Sequence, residues 1–103
     1  MSRGRKPGFD GKKISAIVKC LADSPDGMWI RKIAQITGLH PSTITAYVDG
    51  PLRPLVEIST LGESRPILKV VRLKTAVLER LQEGQNLAQI LKTFALMESI
   101  SSL

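Results

Sequence analysis

WIRKIAQITGLHPSTITAYVDGPL, residues 29–52, decides how the rest of the chain is read. The first part, residues 30–37, has the spacing of a short helix carrying Ile30, Ile33, Ala34 and Thr37. Gly38 follows, where the chain must bend with a positive φ, and a residue without Cβ does this at little cost. Leu39 is an apolar plug at the corner. Pro41 suits the first turn of a new helix, because a backbone N–H is not needed there. That second helix, residues 41–49, puts Ile44, Tyr47 and Val48 on one face. Ser42, Thr43, Thr45, Ala46 and Asp49 fall on the other. Ala34, four residues before the glycine, is small enough to let the two helices cross closely.

Two short helices joined in this way form a helix-turn-helix pattern. Ala34, Gly38, Leu39, Ile44 and Val48 stand where that family places its small residue, turn glycine and packing apolars. The tract GLHPSTITAYV resembles the turn and recognition helix of bacterial and archaeal winged helix-turn-helix transcriptional regulators, and the likeness extends over about residues 11–74. It implies a mainly α fold with a small β-hairpin (α+β), a winged helix-turn-helix with a C-terminal helical extension. It also implies a second helix that enters a major groove of double-stranded DNA. One departure from the pattern is plain: residues 41–50 contain no Arg or Lys and include Asp49. An αα-hairpin in an ordinary helical domain is the competing reading.

Charge is distributed unevenly. Residues 1–74 hold 13 Lys and Arg against 6 Asp and Glu, whereas residues 75–103 hold 2 against 3. A basic body with a near-neutral tail suits neutralisation of phosphates by the body and a different task for the tail. The chain lacks a basic amphipathic helix with bulky aromatics, which would favour a membrane surface. It also lacks a row of aromatics for stacking single-stranded RNA.

The segments on either side complete the expected domain. Residues 1–10, MSRGRKPGFD, read as a flexible basic arm. Arg3-Gly4-Arg5 with Lys6-Pro7 resembles an AT-hook-like element, in which glycine lets the backbone lie deep in a narrow minor groove. A solvated basic tail is the alternative, and either would add phosphate affinity. Residues 12–23 read as a first helix with Ile14, Ile17, Val18 and Leu21 as its buried stripe. Cys20 lies on the same apolar face and reads as a small hydrophobe. Ser24-Pro25-Asp26-Gly27 is a turn, and the resemblance to a winged helix-turn-helix implies a short strand at Met28-Trp29-Ile30. Trp29 reads as a packing residue.

Beyond the second helix of the motif, residues 55–59 and 67–73 read as two strands around a polar loop, TLGESRP, at 60–66. This hairpin is the expected wing, with Arg65 as the positive charge at its tip. Lys69 and Arg72, three residues apart on the second strand, face opposite sides. Residues 75–103 read as helical, with Thr75 capping one helix and Asn86–Gln89 spaced as a capping box for another. Leu87, Ile90, Phe94 and Met97 have seam spacing. They either fold back on the first helix or pair with a second chain, and the favoured expectation is a homodimer through these helices.

The expected DNA contacts divide by role. Ser42, Thr43 and Thr45 would offer hydroxyls to bases or phosphates, and His40 would act at the N-terminus of their helix. Arg31 and Lys32 would grip phosphates, while Arg3, Arg5, Lys6 and Arg65 would add backbone or minor-groove contacts. An architectural or replication-associated DNA binder with little sequence preference, and a winged-helix module that binds protein, remain open alternatives. No enzyme is expected. His40 is the lone histidine and Cys20 the lone cysteine, and neither a GxxxxGK phosphate loop nor a nucleophile elbow occurs. No cofactor, metal or small-molecule effector is expected. The single cysteine, a charged N-terminus without an apolar stretch and no bilayer-length apolar run give the expectation of a cytoplasmic, nucleoid-associated protein.

Overall fold

The computed structural model describes residues 9–61 and 68–101. Arg3, Arg5, Lys6 and Arg65 therefore lie outside the described residues. The chain is mainly helical with a small antiparallel sheet, an α+β arrangement.

Helix α1, Gly11–Ala22, begins where the Asp10 carboxylate accepts a 2.8 Å bond from the Lys12 amide. That bond satisfies one of the amides a helix start leaves unpaired. Ile14, Ile17, Val18, Cys20 and Leu21 form its buried face. Strand β1, Met28–Trp29, follows the turn. Met28 points inward at 9 % exposure, but Trp29 is 49 % exposed, so the expectation that Trp29 packs in the core is corrected. The reason is strand alternation: neighbouring residues of β1 face opposite sides of the sheet, and Met28 takes the inner one.

Helices α2, Ile30–Thr37, and α3, Pro41–Asp49, have the bounds expected from the sequence. Gly38 adopts φ 78°, and its amide closes α2 by donating to the Ala34 carbonyl. The Thr37 hydroxyl donates to the Ile33 carbonyl and accepts from the Leu39 amide, which ties the turn together. Ile33 and Ala34 of α2 and Ile44, Tyr47 and Val48 of α3 are buried in one core with α1.

A single 3-10 turn, Arg53–Leu55, leads into β2, Val56–Leu61, which pairs antiparallel with β3, Leu68–Leu73. β3 is the central strand, because Met28 and Trp29 of β1 pair with Val71 and Val70 on its other edge. Val56, Val71 and Leu73 bury the inner face of the sheet. On the outer face Arg72 stands opposite Glu57, and the two form an ion pair at 2.8 Å.

Helix α4, Thr75–Gln82, starts one residue earlier than a Thr75 cap would require. Lys74 holds the cap position, with no side-chain bond, and Thr75 is the first helical residue. Asn86 does cap the last helix, α5, Leu87–Ser101, its side-chain oxygen accepting from the Ala88 amide at 2.7 Å. The apolar stripe of α5 divides in two. Ile90 and Phe94 are buried in the core with Val77, and Leu87 and Leu91 pack against it. Leu96, Met97 and Ile100, on the final turns, are 62 %, 48 % and 62 % exposed.

Candidate nucleic-acid interface

The surface of interest is built on α3. Burial of Ile44, Tyr47 and Val48 fixes the helix's rotation and leaves Ser42, Ala46 and Asp49 exposed, with Thr43 and Thr45 half-exposed. The hydroxyl residues expected at the site thus share one face, as their spacing requires.

Local bonds shape what that face can offer. His40 occupies the cap position, and its Nδ1 accepts from the Ser42 amide at 3.2 Å. That bond needs Nδ1 without a proton, which puts the ring proton on Nε2, on the opposite side of the imidazole. The Ser42 hydroxyl lies 2.8 Å from the same Nδ1. The Thr43 and Ile44 amides both donate to the His40 carbonyl. With Nδ1 unprotonated the Ser42 hydroxyl donates to it, so an anion at this helix start would meet Nε2–H and not a set of unpaired amides. The Thr45 hydroxyl donates to the Pro41 carbonyl at 3.1 Å, so its remaining capacity is as an acceptor.

Arg31 and Lys32 are exposed in the first turn of α2. Trp29, immediately before that turn, adds a half-exposed indole to the same end of the helix. On the hairpin, the Arg72 guanidinium is held by Glu57, its Nε donating to Oε1 at 3.0 Å, while Lys69 stands exposed on the other side of the strand. Among the described residues, no group of three or more His, Cys, Asp and Glu converges to hold a metal ion. No described helix is long and apolar enough to cross a membrane.

A second feature of α3 lies on its inner side. The Tyr47 ring, 7 % exposed, meets Phe9 edge-on with centroids 4.8 Å apart and planes at 78°. The Tyr47 hydroxyl accepts a 2.9 Å bond from the Asp10 amide. Sequence reasoning put Phe9 in a flexible arm and gave Tyr47 only a packing role. The available signal was Phe9 itself, the one aromatic among the charges, glycines and proline of residues 1–10.

No protein-family model, curated protein or solved structure matches this chain.

Proposed function

We propose that the chain is a double-stranded DNA-binding protein of the winged helix-turn-helix type, acting as a small transcriptional regulator. The observation that carries this reading is the α2–turn–α3 unit. Its second helix buries Ile44, Tyr47 and Val48 and turns a hydroxyl-bearing face outward, and its first helix exposes Arg31 and Lys32. The antiparallel pairing of β2 with β3, after α3 in the chain, supports the reading of a wing. The net charge of +6 supports phosphate as the partner's chemistry. In this reading α3 enters the major groove, and Thr43 and Ser42 meet base edges. His40 Nε2–H meets a phosphate, as do Arg31 and Lys32. Arg65 and the arginines of residues 1–10 add backbone or minor-groove contacts. A second copy joins through the exposed end of α5.

One specific observation favours a variant of this reading, a DNA binder with little sequence preference. The exposed face of α3 has no cation, and the Ser42 and Thr45 hydroxyls are already engaged at 2.8 and 3.1 Å within the helix. Competition between a selected duplex and random duplex at fixed salt separates the two. A regulator is expected to prefer its site by about 10³-fold or more. A ratio near one removes the regulator and leaves the low-preference binder. Thr43→Ala is expected to change the ranking of sequences more than the total affinity. Equal losses on every sequence would contradict base contact by Thr43.

A further inference from the structure

We propose that the groove between the root of the β2–β3 pair and the end of α5 binds a small aliphatic monocarboxylate. The groove has a volume of about 360 Å³ and is lined by Arg53, Val56, Glu57, Ile58, Lys74 and Glu98. Ligand clefts commonly measure about 300–1,000 Å³, so this one suits a small molecule. Tertiary structure assembles it from distant parts of the chain. Val56 of β2 stands opposite Leu73 of β3, and the Lys74 amide donates to the Leu55 carbonyl at 2.9 Å. These bonds set Lys74 beside the 3-10 turn that begins at Arg53. α5 packs against that turn and brings Glu98 to the opposite wall. Local spacing shows none of this, which is why the sequence alone pointed to no small-molecule site.

The charges and the floor of the groove select the ligand. Glu57 is already held by Arg72 at 2.8 Å. Arg53 and Lys74 have no ion-pair partner among the described residues. With Arg72 included, three cations stand against the carboxylates of Glu57 and Glu98, an excess of one positive charge. That excess matches a monoanion, whereas a dianion would also meet repulsion from Glu98. The planar guanidinium of Arg53 matches a carboxylate with two parallel N–H donors, and Lys74 adds a point charge. Val56 is 2 % exposed and Ile58 is half-buried, so the floor is aliphatic and favours an apolar body on the ligand. A molecule seated there touches β2, the residue before α4 and the end of α5 at once. Its binding stabilises the folded chain by mass action. The site needs no duplex, so it stands or falls separately from the DNA-binding reading.

The test is a titration of the full chain with 4-methylpentanoate at neutral pH and constant ionic strength, followed by backbone amide NMR shifts. Saturating shifts are expected at Arg53, Glu57, Ile58 and Lys74, with a dissociation constant of about 1 mM or tighter. Two further probes separate the parts of the ligand. 3-Methylbutylamine keeps the apolar body without the carboxylate, and inorganic phosphate keeps negative charge without the body. Each is expected to bind about tenfold or more weakly. Arg53→Gln with Lys74→Gln is expected to weaken 4-methylpentanoate about tenfold or more. Arg53 is exposed, so Arg53→Gln alone leaves the core intact, and it is expected to cost about threefold or more. Shifts that fail to saturate by about 50 mM would overturn the site. So would either comparison probe binding as tightly as 4-methylpentanoate, or an affinity unchanged in Arg53→Gln.

Discussion

At the scale of single residues, two glycines separate backbone conformation from crowding. Gly38 sits at φ 78° with nothing within 4 Å of an added Cβ, so Gly38→Ala meets only the left-handed penalty. It is expected to lower stability by about 1–2 kcal/mol in urea denaturation. Gly27 combines φ 112° with a Val70 Cγ1 only 2.6 Å from the added Cβ. Gly27→Ala is expected to cost more, about 2–4 kcal/mol, since overpacking adds to backbone strain. Equal losses at the two sites would contradict the packing of β1 against β3. Cys20 adds a pH dependence. Burial, with Asp23 adding to it, raises its thiol above the ordinary value of 9.0. The folded chain prefers the neutral thiol, so this contribution is complete below that ordinary value and is lost as pH rises through the folded pKa. Wild type is expected to lose stability at alkaline pH more steeply than Cys20→Ala, measured by urea midpoints from pH 7 to 10. The residues at the turn were legible in the sequence because Gly38 and Pro41 each have a stereochemical reason for their place. Trp29 was not, because a two-residue strand carries too little alternation to show which residue faces in. The Phe9–Tyr47 contact joins residues 38 positions apart, and local spacing is silent on such pairs.

At the scale of elements, α5 has two tasks. Its first half completes the core through Ile90, which is fully buried, and Phe94, 5 % exposed. Ile90→Ala is expected to cost about 2–5 kcal/mol. Removing residues 86–103 would therefore destabilise the fold as well as any assembly, which makes it a poor test of oligomeric state. Leu96→Glu with Ile100→Glu changes only exposed side chains. If the end of α5 joins two chains, this variant is expected to elute as a monomer with little change in melting temperature. A wild type of monomer mass in sedimentation would contradict the assembly. The periodicity of the tail showed an apolar stripe, but periodicity does not say which part faces its own core. The pairing of β2 with β3 was legible from two β-branched runs around a polar loop. The addition of β1 to the sheet's other edge depends on long-range register and was not. The Arg72–Glu57 pair on that sheet is about half exposed on both sides. Its loss is expected to cost under about 1 kcal/mol.

At the scale of the whole molecule, the proposed duplex binding depends on where affinity arises. The α3 face supplies hydroxyls, an imidazole and one carboxylate but no cation, so the proposed duplex binding requires phosphate contacts from elements around it. Arg31 and Lys32 on α2 are the described candidates, with Arg3, Arg5, Lys6 and Arg65 outside the described residues. Affinity from many dispersed cations is strongly salt-dependent. The most direct measurement is the affinity of the full chain for duplex DNA between 50 and 200 mM salt, for wild type and for Arg31→Ala with Lys32→Ala. The account predicts that log Kobs for wild type falls with log salt at a slope of about −4 or steeper, and that the double variant is shallower by about two units. A wild-type slope shallower than about −1, or a slope unchanged in the variant, would contradict it.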